Sequence, residues 1–292
     1  VCMRRKEFLF LVGPSAVIMT ALLVVPLIQT VIWSLQDVTY GEQGVWTGLA
    51  NYTAVLGDGQ FRQAVLFTVG LTLVGLILKL VFGFGLAVLL QRTGRIRPIF
   101  LGFLLLSYIV PTVIGAVAFS WLFDSNFGGL VNWLLQHLGV SNPPLWFSQQ
   151  WPNRFMVLAN IVWHELPFSI LILLAGLQGV NTEAIEASQI DGASWWQQQR
   201  FVVIPSLYPL IGFISLITIM DGLRVFDALI PLSPSAVSLG NESVMLYVYN
   251  VAFAAGDQKV GLGSAVSVIT MVIIFVLLVP FIRQTYREVK AS

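Results

Sequence analysis

Few residues in this 292-residue chain could do chemistry, and most of those lie inside apolar runs. "NIVWHELPF", Asn160 to Phe168, sets His164 beside Glu165, with Pro167 opening the backbone nearby. A histidine followed by glutamate begins the zinc-protease pattern H-E-x-x-H. Here the closing position is Phe168, and the other histidine, His137, lies in a separate loop, so no metal site is expected. The single cysteine, Cys2, excludes a disulfide framework and most cysteine-based metal sites. "MDGLRVFD" spaces Asp221, Arg224 and Asp227 by three, so on one helix they would form a stripe of mutually neutralising charges. Lys79 stands in the second apolar run, about ten residues from its end and so poorly placed to snorkel, and an interior acid that the sequence does not identify is expected to pair with it. No G-x-x-x-x-G-K-[ST] is present, since none of the four lysines follows a glycine, so the chain cannot cradle ATP phosphates in a P-loop.

Composition says which elements must hold these groups. Hydrophobic residues make up 57% of the chain and charged ones 10%, against roughly a quarter charged in a soluble domain. This is the composition of a polytopic membrane protein. The net charge of +1 allows no strongly basic face and excludes nucleic acid as a partner. Six apolar runs, about 8–35, 64–90, 97–123, 154–179, 203–231 and 262–284, each exceed the roughly 20 helical residues that cross a hydrocarbon layer of about 30 Å. Backbone groups in lipid must pair internally, so the runs are read as helices. The expected fold is an all-α polytopic membrane protein with six transmembrane helices in a single domain over 1–292. The first run follows "RRKEF", but it is about twice the length of a secretory signal's apolar stretch and no A-x-A site follows, so it is expected to be a retained helix.

Orientation follows from the basic residues. Arg4, Arg5, Lys6, Arg92, Arg95, Arg97, Arg200, Arg283, Arg287 and Lys290 all fall on one side of this arrangement, whereas the opposite loops hold Arg62, Arg154 and Lys259 among six acids. Both termini, and the segment 181–205 between the fourth and fifth helices, are therefore expected in the cytoplasm. The outer loops are longer and rich in turn residues and aromatics; in one of them "GLVNWLLQHLG" reads as a small amphipathic helix closed by Gly139.

A charge at mid-bilayer costs about 2.5–3.5 kcal/mol on insertion scales, so each intramembrane charge needs a reason. Glu165 falls about 16 Å below Arg154 at 1.5 Å per residue, near the midplane, and Arg224 about 28 Å above Pro205. Asn160, Trp163, His164, Glu165 and Phe168 combine aromatic faces with hydrogen-bonding groups, as sugar sites do. They are candidates to line a path, as are Asp221 and Arg224. The competing expectation is a structural cluster that ties helices together.

Segment 181–205 interrupts the apolar chain with two short helices joined at Gly192. Asn181 or Thr182 can cap the first, Ala193–Phe201 resume helix, and Pro205 suits the first turn of the next span. Helices this short are marginal in water without a surface to pack on; the segment lies either on lipid headgroups or against a soluble partner. Its sequence, "EASQIDGA…VVIP", resembles the EAA loop of ABC-importer permeases: Glu186, Ala187 and Ser188 stand for E-A-A, Gly192 follows after three residues, and Val202, Ile204 and Pro205 take the I-x-L-P positions. "DGA" at Asp191–Ala193, "RVFDALIPLS" at 224–233 and "GLGSAVSV" at 261–268 are similar to the sugar-importing, MalF-like branch, although "PSAVSLGN" replaces the glycine-rich run expected after 233. The resemblance extends over about 60–290.

The resemblance implies a permease that pairs with a second permease subunit, usually a different chain, around a central path. An ATP-binding-cassette ATPase dimer would dock on the EAA loops through Glu186, Ala187, Ser188, Asp191, Gly192 and Ala193. An extracytoplasmic solute-binding protein would deliver a sugar-type molecule. ATP and Mg would reside on the ATPase, with no cofactor on this chain. The location implied is the bacterial plasma (inner) membrane, in contact with lipid. The rival from another class is an ion-coupled secondary transporter using Glu165 and Asp221. Such carriers often show inverted repeats and about twelve helices, and neither is evident here. An intramembrane enzyme would need a second well-placed histidine or a nucleophile with its base, and neither is found.

Overall fold

The computed structural model describes residues 5–124 and 129–291, with side chains described over 10–124 and 129–279. Cys2 and Arg4 lie outside the described residues, as do the side chains of Arg5, Lys6, Arg283, Arg287 and Lys290. The described chain is helical apart from a small ribbon. α1 (Arg5–Ser34) leads into β1 (Gln36–Asp37) and β2 (Val45–Trp46), then α2 (Ala50–Gly57), α3 (Gly59–Arg92), α4 (Arg97–Ile109), α5 (Thr112–Phe123), α6 (Leu130–His137) and α7 (Gln150–Gln178). After these come α8 (Thr182–Ile190), α9 (Trp195–Gln198), α10 (Ile204–Ser206), α11 (Tyr208–Leu223), α12 (Leu229–Leu232), α13 (Ala236–Leu239), α14 (Val244–Tyr249) and α15 (Val260–Ala291). The amphipathic helix expected before Gly139 is α6, and Gly139 closes it at φ +92°.

Among the described residues, four helices are long and apolar enough to cross a membrane, and two bent pairs bring the number to six if each pair makes one crossing. Two of the six expected runs are bent. Run 97–123 is broken by 100° between α4 and α5. Pro111 has no N–H for the ladder and disfavours helical backbone at the residue before it, so Val110 is extended (ψ 130°). Run 203–231 bends by 68° before α11, where Pro205 and Pro209 open successive helices, and its helix stops at Leu223. Residues 225–232 are apolar for a different reason than spanning: Ala228, Leu229 and Leu232 are buried in a core with Phe67, Ala116 and Met156. A hydropathy window counts such residues without asking whether the helix continues.

The chain divides into two compact units, Val1–Arg62 with Tyr247–Val276 and Gln63–Leu246 with Leu277–Ser292. In the first, Asn51 donates from Nδ2 to the carbonyls of Ser34 (3.0 Å) and Gln36 (2.8 Å), and Tyr247 donates to Asp58 Oδ2 (2.6 Å). These bonds fasten loop to helix. In the second unit, α3 and α7 run parallel: a Cβ on Gly75 would lie 3.7 Å from Leu158, and one on Gly83 would lie 3.3 Å from Ser169. The chain between them must therefore return, and α4 and α5 lie in that return. α11 returns likewise, starting against Gly176 through Leu207 and Leu210 and ending at Gly222, whose added Cβ would fall 2.2 Å from Thr72 Oγ1.

Asn153 anchors the loops at the Gln150 end of α7. It is fully buried, donates to the carbonyls of Trp146 (3.1 Å) and Leu232 (2.8 Å), and accepts from Ser233 Oγ (2.8 Å) and Asn241 Nδ2 (2.9 Å). Asn153→Leu strands these partners in a buried site. It is expected to destabilise the protein by about 3 kcal/mol or more, read as a lower thermal midpoint of the detergent-solubilised protein.

Candidate functional site

The segment after α7 is built as a rigid elbow. Asn181 caps α8, its side chain accepting from Glu183 N–H at 2.9 Å. α8 ends in a Schellman closure: Gly192 N–H donates to Gln189 O (3.0 Å), and Ala193 N–H donates to Ser188 O (2.9 Å). This closure places Gly192 at φ +79°, where glycine is favoured. A reciprocal capping box between Ser194 and Gln197 then starts α9. The capping box therefore stands at Ser194 rather than near Thr182, where the sequence comes close to the spacing. The helix expected over Ala193–Phe201 begins at Trp195, and α9 passes after Gln198 into a wider π-helical stretch, Gln199–Val203, that continues into α10.

Ile185 and Val180 pack on the core made by Ala87, Leu90, Leu173, Leu174 and Leu177, so the elbow is held on α3 and α7. Glu186, Ala187, Asp191 and Gly192 are exposed, while Ser188 and Ala193 are half-buried. The same segment also exposes Ile190 (87%), Trp196 (75%) and Phe201 (67%). The sequence motif located Glu186 and Gly192 but not these exposed apolar side chains. The signal was present in the tryptophan pair, Trp195–Trp196, standing among glutamines.

The second candidate lies at the break between α4 and α5. His164 donates from Nε2 to the carbonyl of Val110 (3.0 Å), which has left the helical ladder there. Tyr108 stacks on Phe168 (6.0 Å, 19°) and tilts against His164 (6.2 Å). Trp163 packs at 5.6 Å from Phe119 and against Gly115, where a Cβ would meet its ring at 3.3 Å. Asn160 is buried, and its Nδ2 has no hydrogen-bond partner among the described residues. The acid that the sequence leaves unnamed for Lys79 is Glu165, ion-paired to it across α3 and α7. Each stands thirteen residues from its helix's last residue, Arg92 and Gln178, so matched depth would have identified the pair.

The expected charge stripe on the fifth helix is corrected. Asp221 and Arg224 pair at 3.8 Å, both substantially exposed, but Arg224 is the C-cap of α11 and Asp227 lies beyond the helix. Gly222 and the turn after Leu223 end the regular spacing that would have aligned the three.

Residues 79–286 match the family described as "Binding-protein-dependent transport system inner membrane component". The chain is 30% identical over 271 residues to the "Trehalose/maltose transport system permease protein MalF" of Thermococcus litoralis, covering 92% of this chain and 90% of that one. It is also 30% identical over 283 residues to the "Diacetylchitobiose uptake system permease protein DasB" of Streptomyces coelicolor, covering 94% and 85%. Its fold superposes with a TM-score of 0.80, at 20% identity and 97% and 96% coverage, on a chain of a bacterial ABC transporter involved in the import of the acidic polysaccharide alginate. The family match takes in the elbow, both helix breaks and the Lys79–Glu165 pair. The chain thus belongs to the binding-protein-dependent transport system inner membrane components, a family of multi-pass inner-membrane permease subunits and not of enzymes.

Proposed function

We propose that the chain is one transmembrane subunit of an ATP-driven importer for a sugar or glycoside. In this reading it forms the translocation path with a second permease subunit, receives solute from an extracytoplasmic binding protein, and rests on an ATP-binding-cassette ATPase dimer. ATP and Mg are held by that ATPase, and this chain carries no cofactor. The observation that carries the proposal is the capped elbow at Gly192, seated on the membrane helices through Ile185 and exposing Glu186 and several apolar side chains. A rigid handle fixed to α3 and α7 can pass motion from a partner to those helices. The partner's binding energy then shifts the two-state equilibrium between outward- and inward-open forms.

The solute class is supported by the relatives' names and by the chemistry at the helix break. Asn160 has a buried donor to offer, Trp163, Phe168 and Tyr108 present aromatic faces, and His164 is fixed by Val110. Glu165 is engaged by Lys79, and Asp221 by Arg224, so each proposed path carboxylate already has a cation beside it. In vesicles loaded with ATP and given labelled trehalose with the binding protein, uptake is expected to require ATP and to survive collapse of the proton gradient. Uptake abolished by an uncoupler while ATP remains would overturn the proposal.

A further inference from the structure

Near their Gly59 and Gln150 ends, α3 and α7 part to leave an open groove of about 640 Å³. Its mouth holds Gln63, Trp151 and Arg154; Leu66, Gly70 and Val74 continue along α3, and Leu158 lies at the inner end of the α7 wall. Just below, Gly75 approaches Leu158, so the helices meet again. From Gln63 to Val74 the groove runs about 16 Å along the helix axis, roughly half the hydrocarbon thickness, or one leaflet.

The charge at the mouth is held by neutral groups. Arg154 donates from Nε to Asn241 Oδ1 (2.7 Å) and from Nη2 to the carbonyl of Gly240 (3.0 Å), and lies over the rings of Trp151 (4.9 Å) and Phe67 (5.7 Å). These neutral contacts fix the guanidinium and leave further N–H donors in a fork that suits phosphate. The groove is polar at the interface, apolar toward the midplane and one leaflet deep. That profile suits the headgroup and one acyl chain of a single lipid.

We propose that this groove binds one anionic phospholipid of the leaflet on the Gly59–Gln150 side, the outer leaflet by the charge distribution. Its phosphate sits on Arg154 and an acyl chain lies along Leu66 and Gly70. A Cβ on Gly70 would meet nothing within 4 Å and Gly70 lines the groove, so Gly70→Leu places a side chain in it.

The test uses the protein purified with the subunits it retains, in nanodiscs of equal phosphatidylglycerol and phosphatidylcholine, with native mass spectrometry counting retained lipids. Wild type is expected to keep phosphatidylglycerol over phosphatidylcholine by about fivefold. Arg154→Gln and Gly70→Leu should each bring the ratio near unity, Gly70→Leu with an unchanged thermal midpoint. A photo-crosslinker at Leu66 should gain the mass of a lipid. Parity in wild type, a preference untouched by Gly70→Leu, or a crosslink from Leu66 to a second polypeptide would each overturn the proposal.

Discussion

Gly192→Val is expected to lower ATP-driven uptake by the assembled importer roughly ten- to a hundredfold while leaving the amount of chain in the membrane unchanged. The estimate comes from backbone strain. Gly192 sits at φ +79°, a region that costs a residue with a Cβ of order 1–3 kcal/mol, with a β-branched side chain a genuine outlier there. At 1.4 kcal/mol per factor of ten, that depletes the elbow competent to engage the ATPase by about the stated amount. The chain should still insert, because a Cβ at Gly192 meets nothing within 4 Å and α8 is anchored separately through Ile185. Asparagine tolerates the left-handed region, so Gly192→Asn should retain most activity. Glu186→Lys inverts an exposed charge without touching the fold, and should weaken ATPase capture with the elbow intact. Co-purification of ATPase with each variant, alongside uptake, separates a bent handle from a lost contact. Full ATPase capture and normal uptake by Gly192→Val would remove the elbow from the mechanism.

The elbow was readable because its determinants are local. Asn181, Gly192 and Pro205 fix a cap, a left-handed turn and a helix start within twenty-five residues, and the geometry at each position follows from residue type. Straight spans were harder to read. Run 203–231 looks continuous because Ala228, Leu229 and Leu232 are apolar, yet they are apolar for packing against Phe67 and Met156, sequence-distant residues. The bend at Pro111 is accompanied by a bond from His164, 54 residues away, to the Val110 carbonyl. Asn153 was invisible for the same reason: three of its four partners lie about 80 or more residues away. Long-range satisfaction of polar groups leaves no periodicity behind.

The ion pair between Lys79 and Glu165 should show an asymmetry that a simple attractive contact would not. The Lys79 side chain is 3% exposed and that of Glu165 is 26%. Removing the acid leaves an ammonium sealed between helices, and breaking a buried pair from one side costs about 3–5 kcal/mol. Glu165→Leu is therefore expected to lower the thermal midpoint severely. Lys79→Leu leaves a carboxylate with a partly open edge that can recruit water, so its cost should be visibly smaller. The double variant Lys79→Leu/Glu165→Leu buries no charge, and replacing a buried pair with apolar residues is often neutral or stabilising. Its midpoint should return close to wild type. Uptake then divides the two roles open to Glu165. A double variant that is stable and transports normally makes the pair a fastening between α3 and α7. One that is stable yet transports nothing assigns the open edge of the carboxylate to the solute path, because stability no longer explains the loss. Equal destabilisation by the two single variants would contradict the burial difference on which the prediction stands.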